Sequence, residues 1–230
     1  MHPSGTTAVI IGNGGSVDLM PPEFWTMDCL YIGTNRALVL QSLANVRLDA
    51  VILRDTYRNQ WADPDIGWKY HQDHWKPSEA YKVGPAFARY AHCDEFVRQE
   101  DGWQFGENRD QNREAAVMRN GSVIIMACNM AFHWGVREFF VTGIDYHGQH
   151  GKMLDGYDVN TGNAWVYDKP VDPIVEKQFR IMRESIESVG GRVWNCSHGS
   201  KLEALEFHNG DFSSGQNIHK RQPRACAEAH

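Results

Sequence analysis

The segment at 145–150, Asp-Tyr-His-Gly-Gln-His, holds three reactive side chains close together: Asp145, His147 and His150. An imidazole with its unperturbed pKa of about 6.5 can take a proton from a hydroxyl at neutral pH. Two histidines and a carboxylate are also a common ligand set for a divalent metal. We predict a catalytic base or substrate contact here, without a metal. A metal site and solvent-exposed loop histidines are the alternatives.

A glycine-rich segment follows the first apolar run, as AVIIGNGGS at 8–16. Glycine can adopt positive φ and lets the backbone approach a ligand closely. Successive amides ahead of a helix form an anion site, so we predict a nucleotide phosphate there. The spacing matches neither the dinucleotide fingerprint nor the P-loop. A tight turn without a ligand is the alternative. The predicted cofactor-binding residues of this segment are Gly12, Asn13, Gly14, Gly15 and Ser16.

Polar residues also follow the other apolar runs or open a helix. Amide and guanidinium groups suit a ribose, a base edge or a phosphate, and a carboxylate suits a diol or a metal. Each of these residues could instead cap a helix or close a structural turn. The further predicted cofactor-binding residues are Asn35, Arg36, Asp55, Ser122, Gly143 and Ser200.

Short apolar runs that end in small or polar residues indicate strands buried on both faces of a parallel sheet. The predicted strands are Ala8 to Ile11, Cys29 to Ile32, Leu48 to Leu53, Glu138 to Thr142 and Arg192 to Cys196. Because ligands of open α/β folds bind at the carboxyl ends of such strands, the polar residues above should meet at one edge.

Two helices lie between these runs. One spans Ser122 to Trp134, with Ser122 as N-cap. The other begins at Asp172-Pro173, and Gly190-Gly191 closes it. Its apolar residues recur at steps of four and three: Val175, Phe179, Met182, Ile186 and Val189. Helices alternating with strands predict an α/β fold, a Rossmann-like and mostly parallel sheet flanked by helices.

Two segments break this alternation, at 56–82 and 146–170. The first is rich in aromatic residues, and the second in Gly, His, Asp and Tyr. Such insertions at the carboxyl edge typically form substrate-binding walls or lids. Four aromatic side chains could stack on a sugar or base, or form a small core: Trp61, Trp68, Tyr70 and Trp75. We predict one domain over 1–214 and a flexible tail over 215–230.

Composition narrows the function classes. A net charge of −6 and a pI near 6.0 disfavour nucleic-acid binding without excluding a local basic stripe. Five dispersed cysteines without a CxxC pair favour free thiols in a reducing compartment. No apolar stretch approaches the roughly 18 residues of a membrane span, and the first residues lack a signal-peptide pattern. We therefore expect a cytoplasmic protein.

Four segments carry a resemblance to a known family: GNGGS after the first strand, TNRA after the second, NGS before a helix, and VREFFVTGIDYHG. Together they resemble the bacterial lipooligosaccharide sialyltransferases. An allied phage and archaeal group, which includes hydroxymethylpterin pyrophosphokinase-like proteins, is also similar. The segment VWNCSHGSKL looks like a turn near the end of the phage members.

The resemblance implies a donor pocket for a nucleotide sugar. In the sialyltransferases the matching positions contact a cytidine nucleotide sugar. The residues of this chain at those positions are Asn13, Asn35, Ser122, Gly143 and Asp145. The family's general-base histidine lies in a helical lid after the Gly-Ile-Asp segment. This chain is composed differently at 151–171, so no histidine is transferred from the family.

The sequence therefore predicts a glycosyltransferase-like enzyme that moves a sugar from a nucleotide-sugar donor to an acceptor hydroxyl, without a required metal. The acceptor would be a glycan or, in a phage, a modified DNA base. One alternative is an ATP-dependent pyrophosphokinase whose Mg²⁺ is held by Asp55 and Asp145. Another is a non-catalytic nucleotide-binding phage module. An oligomer is compatible with each of these predictions.

Overall fold

The fold is a single parallel sheet of nine strands, in the order β6-β5-β4-β3-β2-β1-β7-β8-β9, with all eight pairings parallel. This computed structural model describes residues 3–43, 46–54, 69–85, 93–100, 105, 116–118, 122–146 and 170–209. The strands are β1 (Thr7–Ile11), β2 (Leu30–Thr34), β3 (Ala50–Ile52), β4 (Tyr81–Pro85), β5 (Glu95–Glu100), β6 (Ala116–Met118), β7 (Glu138–Thr142), β8 (Arg192–Asn195) and β9 (Glu206–Phe207).

Helices cover both faces of the sheet. The helices are α1 (Val39–Leu43), α2 (Val123–His133) and α3 (Pro173–Glu187), together with 3₁₀ turns at Gly15–Leu19, Pro22–Thr26 and Asn35–Leu38 and a π-helical turn at His71–Trp75. Residues of α2 and α3 form one core with Ala8 and Ile10 of β1. The 3₁₀ turns, α1 and residues 70–75 form the other with Val9 and Ile11. Alternate residues of the central strand thus supply the two cores.

The predicted α/β class and parallel sheet are confirmed, and each of the five predicted strands is present. The bounds of Glu138–Thr142 are as predicted, and those of the other four differ by at most two residues at either end. Four strands were not predicted. The strand β4 ends in Gly84 and Pro85, which are typical of a turn, and β5 reads Glu-Phe-Val-Arg-Gln-Glu without a long apolar run. Both β6 and β9 have three residues or fewer, too short for a periodic signal.

Both predicted helices are also present, with the predicted caps. The hydroxyl of Ser122 accepts a hydrogen bond from the Ile124 amide at 3.2 Å, and the Asp172 carboxylate accepts one from the Ile174 amide at 2.8 Å. Val189, predicted as an apolar residue of the last turn, lies beyond the end of α3 and is 55% exposed. The helix ends at Glu187 because the chain turns at Gly190, which has a φ of +81°.

The described part of the aromatic insertion belongs to the core. Tyr70 and Trp75 are each 1% exposed and pack with the 3₁₀ turns against the sheet. Of the two roles predicted for these rings, stacking on a ligand or forming a core, the structure therefore shows the core for Tyr70 and Trp75. Trp61 and Trp68 lie outside the described residues, as do most of 146–170 and all of the tail over 215–230.

Candidate functional site

The strand order reverses at β1, which pairs with β2 on one side and with β7 on the other. The chain winds from β1 outward to β6 and then returns to place β7 against the free side of β1. In open α/β sheets, this reversal opens a crevice at the carboxyl ends of the strands, and ligands bind there. The candidate site is therefore bounded by the glycine turn (residues 12–16) after β1 and the β7 loop (residues 143–146).

The glycine turn is bonded directly to the end of β7 and to the β7 loop. The Gly12 amide donates to the Thr142 carbonyl at 2.7 Å, and the Gly14 amide donates to the Gly143 carbonyl at 3.0 Å. The Ser16 amide donates to the Asp145 carboxylate at 2.8 Å. Three of the amides predicted to receive a phosphate thus have partners inside the protein. In this arrangement they join two loops and do not form an open anion site.

Steric contact explains why this turn needs glycine. Gly14 has an ordinary φ of −70°, so a left-handed backbone is not the reason. A Cβ on Gly14 would lie 2.6 Å from Oδ2 of Asp145, and one on Gly12 would meet the Gly143 carbonyl group. Gly143 itself has a φ of +74°, and its Cβ would lie 2.6 Å from the Gly12 carbonyl carbon. The glycines allow two loops to touch, and Asp145 fills the space beside the turn.

The carboxylate of Asp145 is the main chemical feature of the crevice. Its side chain is 4% exposed, and Oδ2 is bonded to the Ser16 amide. Oδ1 is buried, and within the described part of the chain it has no hydrogen-bond partner. A buried acceptor without a partner costs free energy, and such a group in a native structure often marks a functional position. Asp145 can therefore accept a hydrogen bond from a ligand hydroxyl or amine.

A second loop, which follows β8 (the β8 loop, residues 196–203), holds the backbone around Asp145. The hydroxyl of Ser197 accepts from the Ile144 amide at 2.9 Å, and the hydroxyl of Ser200 donates to the Ile144 carbonyl at 2.7 Å. The Lys201 amide donates to the Asp145 carbonyl at 2.9 Å. Each hydrogen-bonding group of Ile144 is thus bound by a serine, which fixes the peptide that carries Asp145.

Ser200 was predicted to line the nucleotide pocket, but its hydroxyl is used within the protein. Besides donating to Ile144, it accepts from the Leu202 amide at 3.2 Å. Ser197 was not singled out by the sequence, although it is fully buried. The Ser197 amide donates to the side chain of Asn195, the last residue of β8, at 2.9 Å. An asparagine at a strand end with a serine two residues later is typical of such a turn, and this pattern could have identified Ser197.

Asn35 and Arg36 lie at the carboxyl end of β2, as predicted, but the side-chain oxygen of Asn35 has a structural role. It accepts from the Arg54 amide at 3.5 Å, and the Asn35 carbonyl accepts from the Tyr70 hydroxyl at 2.7 Å. Asn35 has a φ of +49°, which asparagine tolerates better than most residues. These contacts hold the ends of β2 and β3 and the 69–75 segment together.

Several predicted site residues lie outside the described residues, namely Asp55, His147 and His150. Ser122 lies at the first turn of α2 and caps it. Within the described ranges, no cluster of three or more His, Cys, Asp or Glu side chains is arranged to hold a metal. Over those same ranges, no helix has the length and apolarity to cross a membrane.

The thiols of the described cysteines are free, and burial raises the pKa of each. The pKa rises to about 12 for Cys29, Cys93 and Cys196, and higher still for Cys128, which lies inside α2. Such thiols are protonated at neutral pH and are poor nucleophiles. Among the described residues, the carboxylate of Asp145 is therefore a better candidate for chemistry than any cysteine.

Comparison with solved structures finds a similarity to the MAf glycosyltransferase from Magnetospirillum magneticum AMB-1. The TM-score is 0.56 at 18% sequence identity, over 91% of this chain and 34% of that chain. This likeness shows a shared fold, and the chain spans about a third of that protein's length. No protein-family profile matches the sequence, and no curated protein does.

Proposed function

We propose that the protein is a glycosyltransferase-like enzyme that binds a nucleotide sugar in the β1/β7 crevice and transfers the sugar to an acceptor hydroxyl. The observation that carries this proposal is the buried, unpartnered Oδ1 of Asp145 at the point where the strand order reverses. A nucleotide sugar brings several hydroxyl groups into such a crevice, and any of them can donate to this oxygen.

Sugar transfer requires the protein mainly to position the two substrates and to supply one base. Displacement at a sugar carbon needs the donor and acceptor aligned, a group that takes the acceptor proton, and stabilisation of the leaving phosphate. Asp145, held by Ser16 and the β8 loop, supplies a fixed acceptor for a hydroxyl. His147 and His150 follow it in the sequence, and we propose one of them or Asp145 itself as the base.

The fold likeness supports this choice over the alternatives. A glycosyltransferase contains a region of the same fold, and the likeness covers 91% of this chain. The finer resemblance to lipooligosaccharide sialyltransferases remains a prediction, as does the phage origin. A glycan and a hydroxymethylated DNA base are the two acceptors that the proposal admits.

The first experiment identifies the nucleotide. Thermal unfolding of the full chain is followed with CMP, UDP, GDP, ADP and ATP, each with Mg²⁺ and with EDTA. A ligand at a hundred times its Kd stabilises the fold by about 2.7 kcal/mol, so the binding nucleotide raises Tm. We expect one of the four nucleotides CMP, UDP, GDP and ADP to raise Tm, and to raise it by the same amount in EDTA as in Mg²⁺.

The second experiment tests transfer. The matching nucleotide sugars are incubated with hydroxymethylated DNA or with a glycan mixture, and the mass of each acceptor is measured. A mass increase of one sugar residue, lost in Asp145→Asn, supports the proposal. Stabilisation by ATP that requires Mg²⁺, with pyrophosphate appearing on a small acceptor, would support the pyrophosphokinase instead. No stabilisation by any nucleotide would refute a donor pocket.

A further inference from the structure

The helix α3 contacts both of the chain segments that hold Asp145. Glu176 and Phe179 lie in its first two turns, three residues apart, and therefore on the same face of the helix. Phe179 contacts the residue that follows Asp145, whereas Glu176 contacts the β8 loop. One turn of α3 is thus connected to Asp145 by two separate routes.

The first route passes through Tyr146, the residue directly after Asp145. Its ring lies edge-on to that of Phe179, with the ring centroids 6.2 Å apart and the planes at 86°. Phe179 is fully buried in the core that α2 and α3 form, so it is a fixed partner. Tyr146 has a φ of +54°, a left-handed conformation that a bulky residue rarely adopts. Backbone strain of this kind persists only where the surroundings hold it, and it is concentrated at functional sites.

The second route passes through the β8 loop. The Glu203 amide donates to Oε1 of Glu176 at 2.9 Å. Two residues earlier, the Lys201 amide donates to the Asp145 carbonyl at 2.9 Å. Leu202, which lies between them, is 3% exposed and packs in the core that includes α3. A displacement of Glu203 is therefore passed along a short, packed segment to the backbone of Asp145.

On the basis of the proposed function, we infer that this turn of α3 positions the Asp145 carboxylate, with Glu176 and Tyr146 as positioning residues. In that function Oδ1 of Asp145 accepts a hydrogen bond from a hydroxyl of the bound donor. Glu176 and Tyr146 act on this bond through the backbone on either side of Asp145. A hydrogen bond weakens steeply with distance and angle, so a small displacement of the carboxylate weakens donor binding.

The Ser16 amide reports the position of Asp145 without any ligand, because it donates to Oδ2 at 2.8 Å. Hydrogen exchange at this amide is measured on the full chain, in the wild type, Glu176→Ala and Glu176→Gln, and is compared with the amides of β1. The matched control is Arg183→Ala. Arg183 lies two turns further along α3 and donates to the carbonyl of Ala204, the residue after the β8 loop, at 2.8 Å. Thermal unfolding checks that each variant folds.

We expect exchange at Ser16 to rise roughly two- to thirtyfold in Glu176→Ala, with the amides of β1 unchanged. Glu176→Gln should keep the wild-type rate, because its side-chain oxygen still accepts from the Glu203 amide. Tyr146→Ala should behave like Glu176→Ala, since it removes the ring that packs on Phe179. Tyr146→Phe keeps that ring and should match the wild type. A general loss of stability would instead raise exchange at Ser16 and in β1 together.

Calorimetric titration with CMP, UDP, GDP and ADP then tests the connection to ligand binding. Glu176→Ala should raise the Kd of the binding nucleotide by a similar factor in the wild-type chain. In a chain that also carries Asp145→Asn it should cause no further rise, because Glu176 acts only through that carboxylate.

Two results would overturn the inference. One is an equal rise in Kd in the wild-type and Asp145→Asn chains, and the other is exchange at Ser16 in Glu176→Ala equal to that in Arg183→Ala. If the wild-type chain binds none of the four nucleotides, the proposed function fails. The exchange measurement then still decides whether α3 positions Asp145.

Discussion

Oδ2 of Asp145 accepts a hydrogen bond from the Ser16 amide at 2.8 Å, across 129 positions of sequence. Ser16 returns the contact, since its hydroxyl accepts from the Gly143 amide at 3.1 Å. A segment whose composition indicates an anion site thus already holds an anion, which the protein itself supplies. The external ligand is left to interact with Oδ1, the other oxygen of the same carboxylate.

Asp145→Asn should reduce sugar transfer by about 10²- to 10⁴-fold, the usual contribution of a positioned acid or base. The amide oxygen of asparagine can still accept from Ser16, so the loss in thermal stability should be small. Asp172→Asn is the control, since asparagine caps a helix as well as aspartate does. Transfer is measured by acceptor mass, and a variant as active as the control would exclude Asp145 from the chemistry.

Gly14→Ala should lower the free energy of unfolding by about 1–3 kcal/mol, because the new methyl group would overlap the Asp145 carboxylate. Nucleotide binding should weaken as well, since the carboxylate must move. Gly190→Ala serves for comparison: its φ of +81° is strained for alanine, yet nothing lies within 4 Å of the added Cβ. It should lose about 1 kcal/mol of stability and no binding. Equal binding losses in both variants would contradict this account.

Ser197→Ala and Ser200→Ala should each cost about 1–3 kcal/mol, because each leaves a backbone group of Ile144 unpaired in a buried place. Both should also raise the Kd for the nucleotide. Ser185→Ala removes a similar serine-to-carbonyl bond of 2.7 Å on α3, away from the crevice, and should leave Kd unchanged. Denaturant unfolding and titration measure the two effects. An unchanged Kd in all three variants would show that the β8 loop contributes to stability and not to nucleotide binding.

The fold was more predictable than the site, for a physical reason visible in β1. Ala8, Val9, Ile10 and Ile11 are all fully buried, so hydrophobicity alone indicates a strand covered on both faces. The role of the glycines depends on a contact partner far away in the sequence. A glycine-rich turn can bind a phosphate or pack closely against a neighbouring loop. Here the position of Gly143, whose carbonyl accepts from the Gly14 amide, shows that the turn packs against the β7 loop.

The aromatic segment illustrates the same limit. The sequence shows that Tyr70 and Trp75 are close together, but not which way they face. Burial against the sheet makes them part of the core, and the hydrogen bond from the Tyr70 hydroxyl to the Asn35 carbonyl connects them to the candidate site. Asn35, Gly143 and Ser200 lie in the loops that follow the carboxyl ends of β2, β7 and β8. The sequence does not show which of these residues contact a ligand and which form hydrogen bonds within the protein, because that depends on the tertiary structure.

Thiol titration with Ellman's reagent should show that Cys29, Cys93, Cys128 and Cys196 react slowly in the native chain at pH 8 and fully in denaturant. Burial raises the pKa of Cys29, Cys93 and Cys196 to about 12, so the native thiols keep protons that unfolded thiols release. Stability from this source is present below the ordinary thiol pKa of 9.0 and is lost as pH rises towards 12.

Fast reaction of these four thiols in the native chain would mean that their surroundings open readily. Cysteine-to-serine exchange at Cys226, which lies outside the described residues, removes the signal of the fifth thiol. The thermal unfolding midpoint should fall between pH 9 and pH 10, and this fall should be absent when the buried cysteines are changed to alanine. That result would confirm that the raised thiol pKa values lower stability as pH rises.

The place of β1 in the sheet also bears on synthesis of the chain. On the ribosome, β1 can pair with β2 early, but its other side must wait until β7 has emerged more than a hundred residues later. Until then β1, whose residues Ala8 to Ile11 are fully buried in the native sheet, presents an open edge that favours association with other nascent chains. A fragment that stops before β7 should therefore aggregate, and adding the missing portion in trans should rescue both solubility and the crevice.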